Sequence, residues 1–309
     1  MKLVLLDALS FGDTPLGIFE RFGDVEVHTK TAPAQTQERI AGADIIITNK
    51  VVITKEHMQS VPNLKLICIA ATGMNNVDLD AAKELGIEVK NVAGYSTDSV
   101  VQHTFSMLFY LIGHSRYYDE VTKDKTYSKS GLFTDVSHPF FEIKGKKWGI
   151  IGLGTIGREV AKVASAFGAD VSYFSTSGVA RDEDYPAVPL KTLLSECDII
   201  TIHAPLNEKT HNLLDYNELQ LCKDGAVVLN LGRGGIINED AVAKIIDEKD
   251  ISFGLDVFAK EPLEESSPLL SVQNKEHLYL TPHIAWTSQE ARQTLIEKIA
   301  YNIEETLKS

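Results

Sequence analysis

Short apolar runs alternate with helix-length amphipathic segments through the first third of the chain. The runs KLVLLD, VEVHT, DIIIT and KLICIA are strand candidates, and polar or glycine-containing breaks separate them. This alternation predicts βα units that build a mostly parallel sheet.

The same alternation starts again at Trp148. Strands are predicted in WGIIGL, DVSYFS, IITIHA, AVVLNL, SFGLDVF and LYLTP, with helical stretches such as NEDAVAKIIDEKD between them. The sequence therefore predicts two successive α/β sheets. Residues 97–118 are predicted to form one long helix between the sheets, and residues 288–307 a final helix. The first of these helices has an apolar stripe made of Val100, Thr104, Met107 and Leu111.

The segment 117–146 has weak periodicity and is rich in aromatic residues. Aromatic loops of this kind often cover a partner subunit, and packing within one chain is an equal alternative. The aromatic residues are Tyr117, Tyr118, Tyr127, Phe133, Phe140 and Phe141.

Composition adds limits on the function. A chain of 309 residues suits two domains, and a formal net charge of −13 without any basic block argues against nucleic acid or an anionic membrane as a partner. The three cysteines are far apart and form no CxxC pair, so neither a disulfide framework nor a metal site is expected. No stretch has the length of a membrane span or a signal peptide, which predicts a cytoplasmic protein.

Gly152, Gly154 and Gly157 have GxGxxG spacing between a strand candidate and a helix candidate. In a dinucleotide site the first glycine allows a tight turn, the second admits the pyrophosphate, and the third lets helix and strand pack closely. The amides of Thr155 and Ile156 would then face phosphate oxygens at the helix start. The alternative is a structural glycine turn.

The ribose end of this site leaves the cofactor open between NAD(H) and NADP(H). NAD sites usually place a carboxylate about 20 residues further on, at the tip of the second strand. Asp170 begins that strand, and the tip falls near Ser175. The hydroxyls of Ser175, Thr176 and Ser177, with Arg181 near in sequence, suit a 2′-phosphate. A plain polar turn beside bound NAD is the alternative.

Arg233 ends the apolar run VVLNLGRGG and is surrounded by Gly232, Gly234 and Gly235. An arginine is costly to bury without an anionic partner, and the adjacent glycines allow the backbone to approach a neighbouring group closely. We therefore expect a ligand here, with a structural salt bridge as the alternative.

The segments GLGTIGREVAK, HAPLNEKT, NLGRGGIINEDAV, GLDVFAKEPL and TPHIAW resemble, in order and spacing, the motifs of D-isomer-specific 2-hydroxyacid dehydrogenases, and the match spans nearly the whole chain. The form TPHIAWTS is most similar to the glycerate dehydrogenase and hydroxypyruvate reductase branch. The resemblance implies two doubly wound α/β domains. A Rossmann NAD(P)-binding domain (99–286) is inserted into a flavodoxin-like substrate domain (1–98 plus 287–309), with the active site in the cleft between them. It also implies a homodimer built through the nucleotide domains.

The activity that the resemblance implies is hydride transfer between NAD(P)H and a small 2-oxo acid, with hydroxypyruvate/D-glycerate or glyoxylate/glycolate as the substrate pair. Arg233 matches the substrate-binding arginine, and a planar guanidinium can hold a carboxylate oxygen and the C2 oxygen together. His283 matches the general acid/base that protonates the developing alkoxide. Glu261 matches the carboxylate that holds the other ring nitrogen and favours the imidazolium.

Further positions carry over by resemblance. The loop at residues 72–74 matches the one whose amides receive the substrate carboxylate. Some of these positions also have an interpretation without a role in binding. Asp256 can be a buried capping acid, and Trp286 can serve simple packing. Asn49 and Lys50 can form a solvated strand end. The implied cofactor contacts are Thr97, His203, Ala204, Pro205, Thr210, Leu231, Gly232 and Asp256, and the implied substrate contacts are Asn49, Lys50, Thr72, Gly73, Met74 and Trp286.

Two departures from the family pattern are the missing ribose carboxylate and the pair Val101 and Gln102, where many members carry Ala-Glu. Within the fold, a phosphoglycerate dehydrogenase is the rival enzyme. Glu261 argues against formate dehydrogenase, which has Gln-His in place of Glu-His. Outside enzymology, a dinucleotide-sensing interaction protein shares this architecture, and turnover with a 2-oxo acid separates the two. A methyltransferase leaves Arg233, Glu261 and His283 unexplained.

Overall fold

The computed structural model describes residues 1–180 and 184–308, so Arg181 lies outside the described residues. The chain divides into two compact units, Met1–Ser96 with Thr287–Ser309 and Thr97–Trp286. Within the described ranges, no helix is both long enough and apolar enough to cross a membrane.

Within its described residues, the first unit contains one sheet of five parallel strands. They are β1 (Lys2–Leu5), β2 (Asp24–Val27), β3 (Ile45–Thr48), β4 (Leu66–Ile69) and β5 (Glu88–Asn91). Their order, β2-β1-β3-β4-β5, is that of flavodoxin-like sheets. The side chains of β3 and β4 are buried throughout, which suits near-continuous apolar runs covered on both faces.

The second unit contains a sheet of six parallel strands in its described part. They are β6 (Lys147–Ile151), β7 (Asp170–Phe174), β8 (Ile199–Ile202), β9 (Ala226–Asn230), β10 (Ile251–Leu255) and β11 (Leu278–Leu280). Their order is β11-β10-β9-β8-β6-β7, and a parallel bridge from Tyr173 to Ala187 adds one further strand position beside β7. With that position counted, the order is the 3-2-1-4-5-6 of a Rossmann sheet extended by one strand. The predicted pair of parallel α/β sheets is confirmed.

The helices connect these strands. Short 3-10 helices cover Ala8–Phe11, Gly17–Phe22, Pro33–Gln35, Pro268–Ser271 and Lys275–His277. The α-helices are α1 (Thr36–Arg39), α2 (Lys55–Gln59), α3 (Leu79–Glu84), α4 (Thr97–Ile112), α5 (Ser115–Lys123), α6 (Thr126–Ser130), α7 (Thr155–Ala166), α8 (Leu190–Glu196), α9 (Tyr216–Leu219), α10 (Glu239–Glu248) and α11 (Gln289–Lys308).

The last helix, α11, belongs to the first unit, although the second sheet precedes it in the chain. It buries an apolar face that includes Leu295, Ile299 and Ile303. The side-chain amide of Asn302 donates to the carbonyl of Asn91 at 3.0 Å, which fixes α11 beside β5.

The prediction of one helix over 97–118 is wrong in its extent. Helix α4 ends at Ile112, and α5 begins at Ser115. Between them, His114 adopts a left-handed conformation with φ of 45°, which interrupts the helical backbone. The buried side of α4 includes Val100, Met107 and Leu111, so the predicted apolar stripe does face a core.

Candidate active site

Neighbouring strands β9, β10 and β11 end at one edge of the second sheet. They are parallel, and Leu255 of β10 is in register with Asn230 of β9 and Leu280 of β11. Arg233, Glu261 and His283 follow these three strands in turn. The sheet therefore delivers the loops of all three predicted catalytic residues to the same edge.

His283 and Glu261 form a hydrogen-bonded pair at that edge. Nδ1 of His283 lies 2.7 Å from Oε2 of Glu261, and both side chains are partly exposed. The other carboxylate oxygen of Glu261 accepts the backbone N–H of Phe258 at 3.1 Å. A carboxylate on Nδ1 fixes the orientation of the ring and leaves Nε2 to exchange a proton.

The loop that carries His283 is held by Asp256, which is fully buried. Its carboxylate accepts the hydroxyl of Thr281 at 2.6 Å and the backbone N–H groups of Ile284 and Ala285 at 2.8 and 2.9 Å. His283 itself has a left-handed φ of 55°, a conformation that costs about 1–3 kcal/mol in a non-glycine residue. The hydrogen bonds of Asp256 hold the turn in which His283 adopts this strained conformation. They also show Asp256 acting as the buried capping acid that the sequence left open.

His103 on α4 supports the same turn. Its Nε2 lies 3.2 Å from the hydroxyl of Thr281, and burial lowers the pKa of His103, which favours a neutral ring. The hydroxyl of Ser99 adds a hydrogen bond of 2.7 Å to the carbonyl of Ala285. The start of α4 thus braces the turn.

Hydrogen bonds from Asn230 hold the turn of Arg233. The sequence analysis did not identify Asn230 as a site residue. Asn230 is buried at the end of β9, accepts the N–H of Gly232 at 3.1 Å and donates to the carbonyl of Arg233 at 2.9 Å. Its signal in the sequence is a polar residue that closes an otherwise apolar strand. The guanidinium of Arg233 donates to the carbonyl of Gly232, and within the described ranges it forms no ion pair with a carboxylate. This arrangement argues against a structural salt bridge.

The glycines beside Arg233 pack the protein's own loops together. A Cβ atom on Gly234 would lie 1.8 Å from the carbonyl oxygen of Phe258, and one on Gly232 would lie 3.1 Å from that of Ala204. At Gly234, the close neighbour is therefore the backbone of Phe258 rather than the ligand that the sequence led us to expect. Because Phe258 also donates its N–H to Glu261, this contact couples the Arg233 turn to the Glu261 loop.

The glycine-rich turn after β6 has the geometry of a phosphate cradle. Gly152 has a φ of 93°, and a Cβ on Gly157 would lie 2.4 Å from the carbonyl oxygen of Gly152, so strand and helix approach closely here. A Cβ on Gly154 would meet nothing within 4 Å. No side chain caps α7, so the N–H groups at Thr155 and Ile156 are left for a ligand. Open space and free helical amides fit the pyrophosphate of a dinucleotide.

A cavity of about 240 Å³ adjoins this cradle. The predicted contacts Ala204, Thr210 and Leu231 are buried and do not belong to its lining. The hydroxyl of Thr210 instead bonds the carbonyl of Pro205 at 2.7 Å and closes the turn that follows β8. The lining consists of Gly152, Leu153, Gly154, Tyr173, Ser175, Thr176, Ser177, His203, Pro205 and Asn207.

His203 presents a neutral ring to this cavity. Burial lowers the pKa of His203 to about 3, and its two ring nitrogens have no hydrogen-bond partner among the described residues. Such a ring helps to shape the cavity, but it supplies no charge to a phosphate at neutral pH.

The predicted substrate residues of the first unit follow two neighbouring strands. Asn49 and Lys50 come after β3, and residues 72–74 come after β4, with Thr48 and Ile69 in register. The side-chain amide of Asn91 donates to the carbonyl of Thr72 at 2.6 Å. Within the described part of the chain, the backbone N–H groups of residues 72–74 have no acceptor.

Thr97 and Trp286 stand at the two ends of the second unit. Thr97 is the first residue of α4, and Trp286 is partly buried against the apolar cluster that contains Leu231 and Ala285. The ring of Trp286 is therefore held by packing at the end of the second unit.

Comparison with known proteins identifies consistent relatives. Residues 105–285 match the family model described as D-isomer specific 2-hydroxyacid dehydrogenase, NAD binding domain. The chain is 34% identical over 316 residues to a hydroxypyruvate reductase of Blautia hydrogenotrophica, covering 100% of this chain and 97% of that protein. It is 34% identical over 307 residues to a glycerate dehydrogenase of Methylorubrum extorquens, covering 98% of this chain and 95% of that protein. The solved structure of an acyclic imino acid reductase in complex with NADPH and D-Arg superposes with a TM-score of 0.86 at 29% identity. The match covers 100% of this chain and 97% of that protein.

The contact at Gly234 yields a prediction. Gly234→Ala places a methyl group 1.8 Å from the carbonyl oxygen of Phe258, so the two loops must separate. We expect catalytic turnover to fall at least about tenfold and the melting temperature to drop by about 4 °C or more, as for overpacking of a core. Gly17→Ala is the control, because a Cβ there meets nothing within 4 Å. Equal activities of the two variants would refute the coupling of the loops.

Proposed function

Because the chain belongs to the D-isomer-specific 2-hydroxyacid dehydrogenase family and is a hydride-transferring oxidoreductase of the NAD-binding type, we propose that it interconverts hydroxypyruvate and D-glycerate, or glyoxylate and glycolate. The observation that carries the proposal is the 2.7 Å pair of His283 and Glu261, whose loop packs against the turn of Arg233. The relatives named hydroxypyruvate reductase and glycerate dehydrogenase support the choice of substrate.

In the proposed reaction, Arg233 binds the substrate carboxylate and C2 oxygen through its planar guanidinium. A bound dihydronicotinamide supplies the hydride. His283 donates a proton from Nε2 to the C2 oxygen as negative charge develops there, and Glu261 stabilises the imidazolium before that transfer. In the oxidation of the hydroxy acid, the same imidazole accepts the proton.

We assign cofactor binding to the second unit, at the cradle of Gly154 and the turn of Asp256. Substrate binding falls in part to the first unit, at Asn49, Lys50 and residues 72–74. We propose that Trp286 limits the size of the substrate side chain. A cytoplasmic location is part of the proposal, in keeping with the buried free cysteines Cys68, Cys197 and Cys222.

The function is tested by following absorbance at 340 nm with hydroxypyruvate, glyoxylate, pyruvate and 3-phosphohydroxypyruvate, each with NADH and NADPH. We expect kcat/KM to be highest for hydroxypyruvate or glyoxylate, and His283→Ala to lower kcat about 10²-fold or more. His277→Ala is the matched control, since Nδ1 of His277 also lies near a carboxylate, 3.7 Å from Asp250, just before β11. A preference for the phosphorylated acid, or a fully active His283→Ala enzyme, would contradict the proposal.

For the cofactor, we propose that the enzyme accepts NADPH. The cavity beside the cradle has Ser175, Thr176 and Ser177 at the end of β7 and neither Asp nor Glu in its described lining. A 2′-phosphate therefore meets hydroxyl groups there rather than a like charge.

Ser175→Asp should restore the carboxylate typical of NAD sites. We expect the ratio of kcat/KM with NADPH to that with NADH to fall at least about tenfold, as close like charges repel. Ser195→Asp adds the same charge on the exposed face of α8 and should leave the ratio unchanged. An unchanged ratio in Ser175→Asp would remove the end of β7 from cofactor selection.

We also propose that the enzyme is a homodimer. The segment between α6 and β6 exposes several large apolar side chains, among them Phe133, which is 92% exposed. Contiguous exposed apolar residues are typical of protein interfaces. The others in this segment are Leu132, Val136 and Phe140.

Replacement of Leu132 and Phe133 by Ser should weaken this dimer. Sedimentation velocity is expected to show a dimer for the wild type and a monomer for the double variant at micromolar concentration, because the apolar contact area is lost. Leu9→Ser, at a residue of similar exposure in the first unit, is the control. A wild type that sediments as a monomer would overturn this part of the proposal.

A further inference from the structure

A partly buried carboxylate in the first unit, that of Asp7, has no place in the proposed chemistry. Asp7 follows β1, and its carboxylate accepts the backbone N–H groups of Asn49 at 2.9 Å, Lys50 at 2.6 Å and Val51 at 3.3 Å. The hydroxyl of Thr48 lies 3.4 Å from the same group. Successive N–H groups that converge in this way form a receptor for an anion. Here the anion is supplied by the protein itself.

The surroundings of Asp7 disfavour its ionised form. Burial raises the pKa of Asp7 above its ordinary value, although the hydrogen bonds from Asn49, Lys50 and Val51 act in the opposite direction. The ionised carboxylate is therefore less favourable in the folded protein than in water. Its hydrogen bonds to residues 49–51 are therefore what Asp7 contributes to this loop.

The loop that Asp7 holds is linked to the second substrate loop through Asn76. Asn76 is buried, its side-chain amide donates to the carbonyl of Val51 at 3.2 Å, and its carbonyl accepts the N–H of Ile53 at 2.8 Å. The N–H of Val77 donates to the carbonyl of Met74 at 3.2 Å. Because β1, β3 and β4 are neighbours, these contacts form one continuous network at the carboxyl edge of the first sheet.

We propose that Asp7 is a positioning residue that sets the conformation of residues 49–51 and, through Asn76, of residues 72–74, and thereby determines how tightly the 2-oxo acid binds. The inference rests on the proposed function, in which these loops receive the substrate. Since Asp7 occupies the N–H groups of residues 49–51, the substrate carboxylate is left to those of residues 72–74, which have no acceptor within the described ranges.

Two variants of the full-length enzyme test this role. Asp7→Ala removes the carboxylate that accepts from Asn49 and Lys50, while the N–H of Val51 keeps the hydroxyl of Thr48 at 3.0 Å as an acceptor. We expect KM for the preferred 2-oxo acid to rise about tenfold or more, with KM for the cofactor unchanged. Asp7→Asn keeps one oxygen for Lys50 and Val51 but removes the partly buried charge. Its KM should rise by a smaller factor while its melting temperature equals or exceeds that of the wild type. A purely structural role would instead lower the melting temperature and leave KM for the 2-oxo acid unaffected.

Asp44→Ala is the matched control. Asp44 precedes β3 at the opposite edge of the sheet, and its carboxylate accepts the backbone N–H of Lys2 at 2.8 Å. This variant should retain the wild-type KM. Wild-type KM values in Asp7→Asn, or in a folded Asp7→Ala, would overturn the inference while the proposed function stands. A wild type without turnover on any 2-oxo acid would overturn the proposed function and this inference with it.

Discussion

The close approach of Gly234 to the carbonyl of Phe258 is the constraint on which the candidate site depends. It joins the turn that carries Arg233 to the loop that ends in Glu261, and Glu261 in turn holds the ring of His283. Parallel strands bring three loops to one edge, but only a glycine lets two of them meet backbone to backbone. The guanidinium and the imidazole are thus placed by packing rather than by any direct bond between them.

Three carboxylates fix loops in this acidic chain. Asp256 holds the turn of His283, Glu261 holds its ring, and Asp7 holds a loop at the edge of the other sheet. Each accepts at least one backbone N–H group, an interaction that fixes a loop without a cation. Arg233 forms no ion pair with any described carboxylate, as the proposed role in binding an anionic substrate requires.

Local patterns predicted the residue types of the site and most strands, because strand periodicity and glycine spacing are written in adjacent positions. Strand β5, with the sequence EVKN, was not predicted, since it is short, polar and at the sheet edge. The helix break at His114 was missed because a left-handed residue leaves no periodic signal. The partners of the Asp7 carboxylate lie 41 residues or more away in sequence, so only the fold reveals them.

In the proposed reaction, Arg233 and His283 act on one oxygen of the same substrate. A crystal structure of the complex with reduced cofactor and oxamate, an unreactive 2-oxo acid analogue, tests this claim directly. We expect a guanidinium nitrogen of Arg233 and Nε2 of His283 both to lie within about 3 Å of the oxamate oxygen that replaces the C2 oxygen. Oxamate bound with either side chain directed elsewhere would contradict it.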